Sequence, residues 1–211
     1  MSPNKYQLFY QRKLPHFQPE GATLFITFRL HGSLPSSVIQ LLDEQVRIMN
    51  EELIRQATSS NYGDRMILAQ EHLFEKWDGE LDIARFGPHW LAESEIAEMV
   101  CEALRFWDGV YYTLEAFCVM PNHVHWVITP LHKDGQVFSL SKIMHSIKRY
   151  TANQANKLLS LHGEFWQHES YDHVVRNTLE YRRIVNYVLE NPARAGLEAK
   201  WIYSRLMDLS M

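Results

Sequence analysis

The spacing of apolar residues changes period several times along this chain. Residues 22–30, Ala-Thr-Leu-Phe-Ile-Thr-Phe-Arg-Leu, are rich in β-branched and aromatic side chains and predict a first strand. Gly32, Ser33 and Pro35 end it. The period then lengthens: Val38, Leu41, Leu42, Met49 and Leu53 suit an amphipathic helix. A polar run from Ser59 to Asp64 reads as a loop, and two more helical patterns follow near Met66–Trp77 and Trp90–Trp107, with Gly87-Pro88 between them. Tyr112–Met120 and His123–Thr129 then read as a hairpin-like pair of strands around Pro121-Asn122. Residues 141–159 return to helical spacing, with Ile143, Met144, Ile147 and Leu158 as core candidates, until Gly163 breaks the pattern. A last helix begins after Asn177, an N-cap with Glu180 three residues on, and is expected to stop at Pro192. Its stripe of Tyr181, Ile184, Val185, Val188 and Leu189 is the face to be buried. Strand, helices, two strands and helices predict an α+β domain, an antiparallel sheet covered by helices.

Composition narrows the class. With 211 residues, 46% of them hydrophobic and 12% aromatic, the chain can bury a sizeable core. No run reaches the roughly 18 apolar residues of a membrane span, and the start does not read as a secretory leader. Two cysteines, Cys101 and Cys118, make neither a disulfide framework nor a zinc knuckle. A reduced, cytoplasmic globular protein is expected. The net charge of −4 argues against a nucleic-acid partner until it is split by region. Residues 1–30 carry +3 and residues 131–211 another +3, whereas residues 31–130 carry −10. A basic face built from the two ends stays possible, and the acidic middle reads as solvated helix surface.

Two constellations carry candidate chemistry. In His123-Val124-His125-Trp126-Val127-Ile128, strand alternation puts Val124, Trp126 and Ile128 on one face and the two histidines on the other. Imidazoles two residues apart on one face can bind one metal ion; the same spacing also fits two polar side chains on a solvated face. On the last helix, Tyr187 and Asn191 lie one above the other. At about 100° per residue both fall roughly 90–130° from the middle of the apolar stripe. There they can face a site or serve as half-buried packing.

These residues resemble a known family. Phe117-Cys118-Val119-Met120-Pro121-Asn122-His123-Val124-His125 is similar to the HUH motif (histidine, hydrophobic, histidine) of single-tyrosine transposases, and Tyr187-Val188-Leu189-Glu190-Asn191 resembles their nucleophile helix. Gly163-Glu164-Phe165-Trp166-Gln167, Tyr171-Asp172-His173-Val174-Val175-Arg176 and Asn191-Pro192-Ala193-Arg194-Ala195-Gly196-Leu197 resemble the REP-associated branch of that superfamily. The likeness runs from about Lys5 to Tyr203, and its specific signals lie in 117–129 and 163–197.

The resemblance implies a ferredoxin-like α+β fold in one domain over 1–211, with an enlarged helical insertion over about 35–108. It implies an endonuclease and strand transferase acting on single-stranded or hairpin DNA through a 5′-phosphotyrosine link. Tyr187 would be the nucleophile, and His123, His125 and Asn191 the ligands of one divalent cation, Mg²⁺ or Mn²⁺. Relatives of the insertion-sequence branch commonly have glutamine at the position of Asn191, whose shorter amide reaches less far. Tyr150 with Gln154 repeats the tyrosine–amide spacing on the earlier helix but lacks the flanking motif. Lys148, Arg149, Arg176, Arg182, Arg183 and Arg194 are candidate phosphate contacts and read equally as solvated charges. Arg12 and Lys13 sit in a segment that suits an arm on DNA. His168 and His173 fit hydrogen-bonded structural roles better than DNA or metal contacts, and Trp126 and Trp166 fit core packing better than base stacking. Two other readings compete: a non-catalytic hairpin-DNA-binding descendant, and a metal hydrolase in which Tyr187 is merely packed. Oligomeric state is left open, a homodimer included.

Overall fold

The computed structural model describes residues 9–11, 15–17, 19–56, 78–83, 86–133 and 136–208. The loop at 59–64, the helical pattern at 66–77, and Arg12 and Lys13 lie outside the described residues. A short hairpin, β1 (Phe9–Gln11) with β2 (Pro15–Phe17), precedes the first long strand, β3 (Leu24–Arg29). Between β3 and the next strand come α1 (Ser36–Gln56), helical turns over 78–82 (α2), a 3-10 turn Trp90–Ala92 and α3 (Ser94–Phe106). Then follow β4 (Tyr112–Val119), β5 (His123–Pro130), a small hairpin β6 (His132–Lys133) with β7 (Gln136–Val137), and α4 (Leu140–Leu158). The chain ends in β8 (Tyr171–Val174), α5 (Thr178–Arg194), β9 (Ile202–Ser204) and α6 (Arg205–Asp208).

The main sheet runs β8-β3-β5-β4-β9, and every pairing in it is antiparallel. Taking β3, β4, β5 and β8 as strands one to four, the order is 4-1-3-2, with a helix after the first strand and another after the third. That is the ferredoxin-like arrangement, extended by β9 on the β4 edge. The expected α+β fold, with helices inserted after the first strand, is the one observed.

Each face of the sheet has its own cover. Leu24, Ile26, Phe28, Val124, Trp126 and Ile128 point to one side and pack with α3 and α4 in the larger core. Phe25, Val127, Ala116 and Cys118 point to the other and pack with Val185 and Val188 of α5. A bulge in β4 between Leu114 and Ala116 makes this possible. It shifts the parity of the strand, so that Tyr112, Leu114, Phe117 and Val119 join the larger core while the small Ala116 and Cys118 meet α5. Glu115, the extra residue, accepts a hydrogen bond from the Tyr181 hydroxyl on α5 at 2.9 Å.

Several boundaries and packing expectations need correction. The first strand is shorter than 22–30, although Leu30 continues it as an isolated bridge to Trp166. The pattern at 90–107 divides into the 3-10 turn and α3, because the extended Glu93 backbone separates them. The last helix does not stop at Pro192 but runs to Arg194. Proline removes only its own N–H; the carbonyls of Asn191 and Pro192 still accept bonds from Ala195 and Leu197. Leu41 and Leu158, placed with the core by spacing, are 59% and 46% exposed: Leu41 lies off the Val38–Ile39 face of α1, and Leu158 is the last residue of α4.

A candidate metal and tyrosine site

The face under α5 carries the polar cluster. β3 and β5 pair with Thr27 opposite His125 and Arg29 opposite His123, so these four side chains project from neighbouring strands. Both imidazoles are fully buried, which corrects the alternative of a solvated strand face. Their Nε2 atoms stand 3.0 Å apart. Burial holds both rings neutral, with the pKa of His123 pushed down to about 3 and that of His125 well below its ordinary value. A neutral imidazole offers a lone pair, which is the form a metal needs.

The tautomer of His123 follows from its neighbour. Asn122, also fully buried, donates from Nδ2 to the Leu81 carbonyl at 3.2 Å, so its Oδ1 faces His123 Nδ1 at 2.6 Å. An amide oxygen only accepts, so His123 carries its proton on Nδ1 and leaves Nε2 bare. His125 Nδ1 meets the Thr27 hydroxyl at 2.8 Å. A hydroxyl can donate or accept, so His125 can present a bare Nε2 as well or donate to His123.

The helix supplies the tyrosine. Asn177 caps α5 by accepting from Glu180 N at 2.9 Å, as the capping pattern predicts. The Glu180 side chain, however, turns to the Arg176 backbone and guanidinium and to His173 Nε2 at 3.0 Å, rather than closing a reciprocal box. Although burial opposes it, those hydrogen bonds hold the Glu180 carboxyl down at about 2. Ten residues into the helix, Tyr187 leans over the cluster: its ring centroid lies 5.5 Å from that of His125 and 6.2 Å from that of Phe25. One turn on, the fully buried Asn191 donates from Nδ2 to the Tyr187 hydroxyl at 3.0 Å and to Asp82 Oδ2 at 3.4 Å. The histidine strand and the tyrosine–amide pair therefore meet. Tyr150 does not join them; it is 53% exposed on α4.

Two aspartates complete the cluster, and sequence reading missed them. Asp78 and Asp82, one turn apart on α2, face the histidines: Asp78 Oδ1 lies 3.3 Å from His125 Nε2 and Asp82 Oδ1 3.7 Å from His123 Nε2. Burial raises the Asp78 carboxyl to about 8, assisted by the charge of Asp82, and raises that of Asp82. One ligand atom from each of Asp78, Asp82, His123 and His125 can be chosen so that all four lie within 4.8 Å of one another, a set able to hold a metal ion. Donor chemistry fits as well, with two neutral nitrogens and two carboxylates around one point. Asp78-x-x-x-Asp82 sat in the acidic tract read as solvated surface, and its spacing alone does not separate a solvated helix face from one turned to a metal.

The candidate phosphate contacts scatter. Lys148 is half-buried and donates to the carbonyls of Gln167 and His168 at 2.9 and 3.3 Å, tying α4 to the segment before β8. Beside it, Arg149 is exposed at a groove of about 300 Å³ that His145, Trp166, His168 and Ser170 also line. Arg176 is bound to Glu180, and Arg182 and Arg183 are exposed on α5. Arg194 pairs with Glu190 at 3.3 Å and holds its guanidinium carbon 5.4 Å from the Tyr187 ring centroid. His173 is buried against Glu180, as its structural reading expected, whereas the His168 side chain is exposed and only its carbonyl takes part, accepting from Lys148. Trp126 and Trp166 are buried in the larger core, as the packing readings expected.

Known proteins bear on this geometry. Residues 91–191 match the model of the family described as transposase IS200-like. A REP-associated tyrosine transposase of Escherichia coli is 31% identical over 85 residues, 40% of this chain and 47% of that protein. An uncharacterised protein of Haemophilus influenzae is 25% identical over 97 residues, 37% of this chain and 53% of that one. The matches thus span about half the length of these curated relatives. A solved structure of a REP-associated tyrosine transposase bound to a REP hairpin is similar at a TM-score of 0.43 and 20% identity, over 90% of this chain and 74% of that one. No described helix is long and apolar enough to cross a membrane. Asp78 and Asp82 fall before the family match, whereas the segment 91–191, which holds both histidines, Tyr187 and Asn191, carries the pattern of the IS200-like transposase family.

Proposed function

We propose that this chain is a metal-dependent, single-stranded DNA endonuclease and strand transferase that acts on hairpin DNA through Tyr187. The observation that carries the reading is the meeting of the Tyr187–Asn191 pair with two buried, neutral histidines, in a segment of transposase-family sequence. His123, His125 and Asn191 would hold a divalent cation, Mg²⁺ or Mn²⁺. Such a cation polarises the scissile phosphate and offsets charge in the transition state.

The chain's own residues do the rest. Asn191 orients the Tyr187 hydroxyl by donating to it, which aims an oxygen lone pair away from the amide. Attack by that oxygen forms the tyrosine–phosphorus bond and breaks the bond to the 3′-oxygen, which leaves and takes up a proton as the tyrosine proton departs. A 5′-phosphotyrosine and a free 3′-hydroxyl result. The phosphodiester energy is kept, so reversal rejoins strands without a nucleotide cofactor. Arg194, over the Tyr187 ring, is placed to favour the phenolate electrostatically. The exposed Arg149 and Arg183 are the best candidates for backbone phosphates.

The test is a covalent-adduct assay on a single-stranded hairpin with Mn²⁺. Wild-type protein is expected to form a protein–DNA adduct that survives denaturation, and Tyr187→Phe to form none. Hairpin binding with no adduct from the wild type would instead identify a non-catalytic DNA-binding protein. Undiminished cleavage by Tyr187→Phe would remove the nucleophile assignment.

A further inference from the structure

We propose that Asp78 and Asp82 ligate the same cation as His123 and His125, so that the insertion between β3 and β4 adds two carboxylate donors to the histidine pair and Asn191. This rests on the metal reading above and goes beyond it, since both aspartates precede the family match and neither motif contains them. Three observations carry it.

The first is geometry. Asp78 and Asp82 are one helical turn apart and present one oxygen to each imidazole Nε2, at 3.3 and 3.7 Å. Among the described residues neither of those oxygens has a hydrogen-bond partner, although both are buried. The second is a further orphan. Asn191 is fully buried, and its Oδ1 also lacks a partner among the described residues, while its Nδ2 already serves Asp82 and Tyr187. Three buried oxygens without donors among the described residues, beside the bare His123 Nε2, make an environment that a cation satisfies. Two carboxylates desolvated together repel, and a divalent ion between them reverses the sign of that interaction.

The third is how firmly α2 is held there. Leu81, between the two aspartates, is buried against Leu34, Val38 and Ile39, and its carbonyl accepts from Asn122, the residue that orients His123. Further along, Gly87 at φ +76° lies so close to Gly32 that a Cβ would collide with the Gly32 carbonyl. The insertion is thus pinned to the end of β3, beside the histidine pair. A mixed set of imidazole and carboxylate donors suits Mn²⁺ better than Mg²⁺, which prefers oxygen alone.

The experiment titrates Mn²⁺ into the metal-stripped full chain and follows the loss of the free-ion EPR signal. It compares wild type, Asp78→Asn/Asp82→Asn and His123→Ala/His125→Ala. The aspartate variant is expected to bind Mn²⁺ at least about tenfold more weakly, a loss no smaller than that of an outer-shell partner, and the histidine variant not to bind measurably. Unchanged affinity in the aspartate variant alone overturns the inference and leaves the metal reading standing. Unchanged affinity in both variants overturns both. Should the double aspartate variant fold poorly, Asp82→Asn alone serves, read as the rise in Tm on adding Mn²⁺. A smaller rise than in wild type supports the ligand role, and an equal rise overturns it.

Discussion

The two faces of one sheet do different work. Toward α3 and α4 the strands present Leu24, Ile26, Phe28, Trp126 and Ile128, closed by apolar and aromatic side chains. Trp126 sits at its centre, edge-on to Tyr112 with ring centroids 5.0 Å apart. Toward α5 the same strands present Thr27, Arg29, His123 and His125, and apolar packing there narrows to a smaller cluster around Phe25, Cys118 and Val185. Adjacent residues of β5 thus belong to opposite economies. Val124 and Trp126 stabilise the fold by leaving water, whereas His123 and His125 leave water at a cost and are kept neutral by that burial. A rigid apolar layer behind the strand allows the polar layer in front to be built to close tolerance.

Breaking each face separately sharpens the contrast. The largest effect is expected on chemistry. His123→Ala/His125→Ala should lower hairpin cleavage at least about 10²–10³-fold while hairpin binding persists, measured by cleavage and by electrophoretic mobility shift. Equal loss of binding would mean that this face serves recognition rather than reaction. Next in size is the apolar side. Trp126→Ala should destabilise the chain by about 3–5 kcal/mol in urea unfolding, yet leave Mn²⁺ affinity of the folded fraction near wild type. A coupled loss of metal affinity would show that the faces are not separable.

The smallest expected effect lies at the start of the tyrosine helix. The Glu180 carboxyl is held at about 2 by Arg176 and His173 in the folded protein, below its ordinary value of 4.5. Its contribution is therefore present above about pH 4.5 and lost as pH falls through about 2, when the folded-state carboxylate takes up its proton. Solvent around Arg176 screens the pair, so Glu180→Gln should cost ~1 kcal/mol at pH 7. The difference from wild type should shrink toward pH 2, as thermal unfolding across that range would record. A difference independent of pH would assign the loss to packing.

Legibility in the sequence followed the range of the interaction. The β5 alternation, the α5 stripe and the Asn177 cap are local, and spacing alone placed them; Val185 and Val188 are buried and Asn177 bonds Glu180 as the pattern requires. The meeting of Tyr187 with the histidines needed the family resemblance, since nothing local relates positions so far apart in the chain. Asp78 and Asp82 were not legible, because a carboxylate in an acidic tract looks the same whether it faces water or a metal site. Lys148 misled for the converse reason: its charge predicts solvent, but its ammonium lies over the Phe28 ring, 5.7 Å from the centroid, and donates to backbone carbonyls.

Net charge shows the same division. The sequence by itself determined that acid is concentrated in 31–130 and base at both ends, along with the periods of the strands and helices and the identity of the histidine and tyrosine motifs. Only the tertiary structure decided that, among the described acids of that stretch, Asp78 and Asp82 turn toward the histidine pair. Periodicity is a property of neighbours along the chain, and burial is a property of what packs across it. The Asn122 bridge to Leu81 and the approach of Gly87 to Gly32 are contacts between distant segments, and they carry the acidic insertion to the histidine pair.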